Sequence, residues 1–218
     1  MLRSIENGST DRLIEIRESL DFLGRFIPSA PAPAARHIDH LKGQVFVQLY
    51  GAIEYTIVEL VKFSLDYIST LGLKISDLKH SLFGLVLDSE MESLRISNTK
   101  KWDKRGDLAD KLEINGICSI SNLLMPTDGK NFGKNQFKSV WRTFSITEPL
   151  FHDVSFQSSL SEIIVYRNKI AHGEYTSSSV GASKTIGDLY TRQSEVSRFC
   201  SYLISVFLDY LTNQKFKI

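Results

Sequence analysis

The segment AARHIDHLKGQVFVQLYGAIEYTIVELVKFSLDYISTL, residues 34–71, decides the fold of this chain. Its side chains repeat at steps of three and four residues, the spacing of an α-helix, and Gly72 is a typical helix stop. The repeating positions are Val45, Leu49, Ala52, Ile53, Thr56, Leu60, Phe63 and Tyr67. Because the apolar residues cover more than one face, we expect this helix to be central or to lie at a subunit contact.

A second helical pattern precedes this segment. Residues 10–27 predict a helix with Thr10 as its cap. Three prolines then follow within an Ala/Ser-rich stretch, which is typical of a stiff connector: Pro28, Pro31 and Pro33. We therefore predict an N-terminal helix and connector over residues 1–33, followed by a core over residues 34–213.

Further helices are predicted downstream, and no alternating strand pattern is found. The predicted elements are a short helix that begins near Ser76, helices over 136–146, 155–172 and 186–213, and loops over 126–135 and from Thr176 to about Ser183. Between them, residues 90–114 mix lysines with aspartates and glutamates, which favours a solvated helical face over a phosphate-attracting edge. The sequence therefore predicts an all-α protein.

Length and composition are those of an ordinary globular protein. The chain has 218 residues, of which 42% are hydrophobic and 23% charged, so we predict a single domain over 1–218. A net charge of +1 excludes the global basic field of a DNA-coating protein. We expect a cytoplasmic protein with reduced Cys118 and Cys200, because the start of the chain lacks an apolar signal segment and no apolar stretch is long enough to span a bilayer.

Motifs for cofactors and metals are not found. The glycines of residues 126–135 do not fit a phosphate-loop pattern. His37, Asp39 and His40 could suggest a metal site, but no second cluster with ligand spacing is evident, so a polar helix start is the better interpretation. We therefore expect neither a cofactor nor a metal.

The segment YRNKIAHG, residues 166–173, carries the residues best suited to chemistry. Asn168 and His172 are four residues apart, hence on one helix face, and the long side chain of Arg167 can swing onto the same edge. Gly173 is expected to adopt the left-handed conformation that ends the helix. We expect the heads of Arg167 and His172 to be exposed there.

These residue types suit the cleavage of RNA without a metal. An imidazole can take and return a proton, a guanidinium can hold a phosphate, and an amide can orient either partner. The alternative is purely structural, because a histidine in the last turn often caps carbonyls and an arginine there is often only solvated.

The RNxxxHG arrangement, here Arg167, Asn168, His172 and Gly173, resembles the ribonuclease signature of the HEPN superfamily. The helical frame over most of residues 34–213 resembles it too. The resemblance implies an up-and-down four-helix core with extra short helices, and two chains that pair so that both motifs line one cleft.

By this resemblance the protein is a metal-independent endoribonuclease that acts on RNA as a homodimer, in a toxin or phage-defence role, with an antitoxin or defence-system partner. Arg167, Asn168 and His172 would be its catalytic residues. Apart from the resemblance, Glu54 on the apolar helix could face a cleft and contact Arg167, although such a glutamate more often lies at the helix edge. Some HEPN proteins keep the fold without cleaving anything, so the alternative is an inactive dimer that binds a nucleotide or a protein partner.

Overall fold

Helices make up the architecture. The computed structural model describes residues 1–27, 34–125 and 132–218. Nine α-helices lie in these ranges: α1 (Arg3–Gly24), α2 (Arg36–Thr70), α3 (Phe83–Val86), α4 (Asp88–Ile96), α5 (Lys101–Ile114), α6 (Lys134–Phe144), α7 (Phe156–Ala171), α8 (Ser177–Ala182) and α9 (Ile186–Thr212). Apart from two isolated bridges no strand is described there, so the all-α prediction is confirmed. No helix in these ranges combines the length and the hydropathy needed to cross a bilayer.

Two predicted segments fall wholly or partly outside the described residues. The predicted proline connector lies in residues 28–33, which are outside the described ranges. Residues 126–131 of the predicted 126–135 loop lie outside them as well, while Phe132 and Gly133 are described and lead into α6.

Helix α1 begins at Arg3, seven residues before the start of the predicted range 10–27. Its buried stripe already includes Ile5 and Ser9 and continues at helical spacing through Leu13. Glu6 lies in the first turn, where the helix dipole favours a negative charge. The first turns are therefore held by packing instead of by a capping side chain.

Helices α1, α2, α7 and α9 form an up-and-down bundle. Along each pair of neighbouring helices, residue numbers increase on one helix while those of the residues it contacts decrease on the other. Helix α1 is therefore antiparallel to α2 and to α9, and α7 is antiparallel to α9. The pairs that fix these directions are Ser9–Thr56 and Arg12–Tyr55, Leu13–Gln193 and Asp21–Tyr190, and Phe156–Phe199 and Glu162–Arg192. The four-helix core that the sequence resemblance implies is present.

Helix α2 is central in this bundle. Among its large apolar side chains only Leu41 is exposed, because α1, α7, α8 and α9 cover the others. Of the two alternatives for its extra apolar faces, burial within the chain is therefore the one observed. The hydrophobic core also includes Leu2 and Leu20 of the N-terminal region and Phe216, so it extends beyond the predicted 34–213.

The predicted loop from Thr176 to Ser183 is wrong, because residues 177–182 form helix α8. The Thr176 side chain accepts a hydrogen bond from the backbone N–H of Ser179 at 3.1 Å and caps the helix. Val180 is buried, and α8 packs closely along the first turns of α2. Packing against α2 overrides the weak helix propensity of the Ser/Gly-rich sequence.

Two glycines let the backbones of α2 and α8 touch. A methyl group on Gly43 would overlap the carbonyl oxygen of Ser177, and one on Gly181 would overlap the carbonyl oxygen of Asp39. Next to this contact, the Gln44 amide donates to the Ser177 hydroxyl at 2.6 Å. The contact fixes the chain that follows residues 166–173 against α2.

Helices α4 and α5 carry the charged residues 90–114, and neither has a buried residue. Lys111 of α5 pairs with Glu90 of α4 at 2.6 Å, while Lys104 pairs with Asp107 within α5 at 3.0 Å. The preferred prediction of a solvated helical face therefore agrees with the structure.

The glycine contact generates a stability prediction with a control on the same helix. We expect Gly43→Ala to lower the free energy of unfolding by about 1–3 kcal/mol, because the added methyl meets backbone that cannot rotate away. Gly51→Ala has open space and should instead raise it by about 0.5–1 kcal/mol, since alanine is the better helix former. Urea unfolding of both variants checks this, and equal stability of the two would refute the close contact.

Candidate functional site

The motif segment ends α7 as the sequence predicts. The backbone N–H of His172 donates to Asn168 at 2.9 Å, and that of Gly173 donates to Ile170 at 3.1 Å. Gly173 has a φ of +73°, the left-handed conformation that glycine adopts without strain. The Tyr175 N–H then turns back to the Lys169 carbonyl at 3.1 Å. The end of the helix is therefore a defined structure rather than a frayed one.

An ion-pair network ties the middle of α7 to α9. Glu162 accepts from Lys184 and from Arg192, each at 2.6 Å, and Arg192 also pairs with Glu195 at 2.9 Å. Burial alone would raise the pKa of Glu162, but the hydrogen bonds from these two cations outweigh it and lower that pKa. The Lys184 ammonium also lies over the Tyr166 ring, 5.0 Å from its centroid. The residue that precedes Arg167 is thus contacted by Lys184, from the short segment that joins α8 to α9.

Arg167 is held against α2 and is not exposed. Its side chain is half-buried, with the guanidinium over the Tyr50 ring, 4.9 Å from the centroid. One guanidinium N–H donates to the Asn168 side-chain oxygen at 3.1 Å. The expectation that the head of Arg167 is exposed is therefore wrong. Cation–π contact and the hydrogen bond restrict a side chain that would otherwise be flexible.

Tyr50 is the platform on which Arg167 rests. It is buried, its hydroxyl donates to Glu54 at 3.0 Å, and it accepts from the Phe132 backbone N–H at 2.8 Å. Burial, and then the charge of Glu54, raise the pKa of Tyr50, so the phenol stays protonated. Tyr50 lies between the two charged groups: among the described residues Arg167 and Glu54 form no ion pair, and the suggested contact between them is indirect.

His172 lies on the solvent side of the same helix end. It is exposed, as expected, and shares a face of α7 with Asn168 and the exposed Val165. The structure therefore brings Arg167 and Asn168 into side-chain contact. His172 follows one helical turn after Asn168, and its side chain is exposed.

The arrangement can hold an anion and move a proton. The hydrogen bond to Asn168 uses one of the five N–H donors of the guanidinium, which leaves others for phosphate oxygens. The imidazole is the side chain most often used for proton transfer in catalysis. These are the two functions that a phosphodiester needs at its non-bridging oxygens and at its leaving oxygen.

The model of the HEPN_MAE_28990-like HEPN family matches residues 5–216, almost the whole chain. The chain belongs to the HEPN superfamily. No curated protein and no solved structure gave a match. HEPN domains are generally associated with ribonucleases, and they often bind RNA and form dimers.

The sequence of this HEPN chain predicts the three motif residues as a site but gives no prediction for Tyr50. In the sequence Tyr50 is one aromatic residue within an apolar helix, and 117 positions separate it from Arg167. Its spacing of four from Glu54 is the one local signal, since such residues share a helix face. Among the described residues, no group of three or more His, Cys, Asp and Glu side chains has the arrangement of a metal site.

The stacking generates a prediction for Tyr50 and Arg167. Tyr50→Phe keeps the ring but leaves the buried Phe132 N–H without its acceptor, and should lower the free energy of unfolding by about 1–3 kcal/mol. Arg167→Ala should lower the free energy of unfolding by the same amount in the wild type and in Tyr50→Phe. In Tyr50→Leu, which lacks the ring, the loss of unfolding free energy caused by Arg167→Ala should be smaller by about 0.5–2 kcal/mol. Urea unfolding measures this cycle, and an Arg167→Ala cost independent of the ring would contradict the contact.

Proposed function

We propose that this HEPN protein is a metal-independent endoribonuclease. The observation that carries the proposal is that a fixed cation and an exposed imidazole lie at the same helix end. Arg167 is held by Tyr50 and Asn168, and His172 lies one helical turn beyond Asn168. RNA supplies its own nucleophile, the 2′-hydroxyl, so the protein needs to supply charge stabilisation and proton transfer alone.

The reaction follows from these roles. The 2′-hydroxyl loses its proton as O2′ attacks the adjacent phosphorus, and the bond from phosphorus to O5′ breaks. A proton added to O5′ completes a 5′-hydroxyl end, and the other product ends in a 2′,3′-cyclic phosphate. Arg167 binds the non-bridging oxygens and stabilises their growing charge. His172 transfers the proton, and Asn168 orients Arg167.

A homodimer completes this chemistry. One proton leaves the nucleophile and another reaches the leaving group, and one imidazole cannot be neutral and protonated at the same time. A two-fold axis at the motif supplies a second His172. The exposed apolar side chains of Val165 and Tyr175 flank the motif and favour burial at such a contact. Pairing also doubles the local positive charge of Arg167 and Lys169.

The biological role in this proposal is that of a cytoplasmic toxin or phage-defence effector. An enzyme that cleaves RNA without a cofactor is harmful to its own cell unless something restrains it. An antitoxin or another defence-system partner would provide that restraint. This part of the proposal rests on the resemblance to stand-alone bacterial HEPN ribonucleases of such systems.

The catalytic assignment predicts large losses from single substitutions. With single-stranded RNA in excess EDTA, His172→Ala should lower the cleavage rate by about 10²–10⁴-fold, because it removes the proton-transfer group. Arg167→Lys keeps a cation over Tyr50 but loses the bidentate fork, and should also cleave poorly. His80→Ala removes another exposed histidine and serves as the control, with wild-type activity expected.

Thermal unfolding of the same samples shows whether each variant is folded. Wild-type cleavage by folded His172→Ala would refute the assignment of this residue, and cleavage that stops in EDTA and returns with magnesium would refute the metal-independent mechanism.

The shared site predicts complementation between two inactive chains. Light scattering should give about twice the chain mass of 24.7 kDa. In mixed dimers of Arg167→Ala and His172→Ala chains, the one intact Arg167 and the one intact His172 belong to different chains. They can meet in a shared site, and because the second His172 is missing there, we expect part of the activity to return on mixing. A monomer that cleaves RNA, or mixtures as inactive as their parents, would contradict the shared site.

A further inference from the structure

A second basic site lies at the start of α2. There a cleft of about 630 Å³ is lined by Arg36, His37, His40, Thr176, Ser177 and Ser178. The described lining consists of cationic or potentially cationic side chains on one wall and hydroxyl-bearing residues on the other, with no acidic residue. This is the chemistry that protein surfaces use to contact nucleic-acid phosphates.

The basic side chains of this cleft have no partner among the described residues. Arg36, His37 and His40 are exposed, and in the described ranges none of them makes an ion pair or a side-chain hydrogen bond. Lys42, two residues further along the same helix, is buried and paired with Asp39 at 2.8 Å. The paired Lys42 has a structural role in the fold, whereas the three side chains at the cleft remain accessible to a ligand.

The cleft and the motif lie along one face of α2. Arg36, His40, Gly43 and Tyr50 follow one another at steps of four, three and seven residues, which keeps them on one stripe of the helix. His40 and Tyr50 are ten residues apart, about 15 Å along the axis. The hydroxyl wall belongs to the chain that follows His172, held on α2 by the glycine contact at Gly43.

We infer that the cleft of Arg36, His37 and His40 binds the phosphodiester backbone of single-stranded RNA, at a phosphate several nucleotides away from the one held by Arg167. The inference rests on the proposed function. The motif holds the scissile phosphate, and the cleft holds another phosphate of the same strand. Contacts of this kind fix the position of the strand without reading its bases. The guanidinium of Arg36 is the main ligand for the phosphate oxygens.

Binding is tested in the full-length His172→Ala protein, so that the RNA stays intact. A labelled single-stranded RNA of about twelve nucleotides is titrated by fluorescence anisotropy at several salt concentrations. Adding Arg36→Ala should raise the Kd at least about five-fold and lower the slope of log K against log salt by about 0.7, the value for one phosphate contact on a single strand.

Arg3→Ala is the matched control. Arg3 is exposed, carries the same charge, and lies toward the other end of α2, because Gly8 of α1 lies beside Tyr55. It should leave both the Kd and the slope unchanged. Equal effects of Arg36→Ala and Arg3→Ala would overturn the inference, and so would a failure of the His172→Ala protein to bind the RNA.

Substrate length provides the second readout, in protein with His172 intact. Arg36→Ala should raise the KM for the twelve-nucleotide RNA, while a dinucleotide, too short to reach the cleft, should be cleaved with wild-type kcat/KM. An equal loss on both substrates would overturn the inference, since it would mean that Arg36 acts on the motif itself. Absence of cleavage by the wild-type protein refutes the proposed function, and the anisotropy titration still tests the cleft.

Discussion

The backbone contact between α2 and α8, made through Gly43 and Gly181, is the constraint on which the site depends. It holds the chain that follows His172 against the central helix of the bundle. Seven residues further along α2, Tyr50 holds Arg167 from the other side of the motif. Both ends of the motif segment are thus fixed on one helix, which gives a rigid support to residues that lie at a helix end. The Arg167 side chain is thereby restricted before any ligand binds.

Much of the fold follows from local sequence signals. The helices over 34–71, 155–172 and 186–213 are long and strongly periodic. Their bounds in the structure, Arg36–Thr70, Phe156–Ala171 and Ile186–Thr212, differ from the prediction by at most two residues at each end. Helix α8 has no such signal: six residues of Ser, Val, Gly and Ala fold as a helix because α2 accepts them. A contact across more than 130 positions decides that element, and local propensity does not contain it.

In the candidate site too, some features follow from the local sequence and others from the folded bundle. Arg167, Asn168, His172 and the Gly173 cap are close in sequence, so their spacing predicts the helix end and its polar face. The direction taken by the Arg167 side chain depends on Tyr50, and Tyr50 in turn depends on Glu54 and on the backbone of Phe132. These partners come together only in the folded bundle. The sequence therefore predicts the chemical groups, while the structure shows that Arg167 is half-buried and His172 is exposed.

The chemistry of the RNA ends tests the central claim most directly. A single-stranded RNA is incubated with the wild-type protein in excess EDTA, and the termini of the fragments are analysed by mass spectrometry. Attack by the 2′-hydroxyl predicts fragments that end in a 2′,3′-cyclic phosphate and begin with a 5′-hydroxyl, with His172→Ala producing none. Fragments with 3′-hydroxyl and 5′-phosphate ends would show that water is the nucleophile, and would contradict the account.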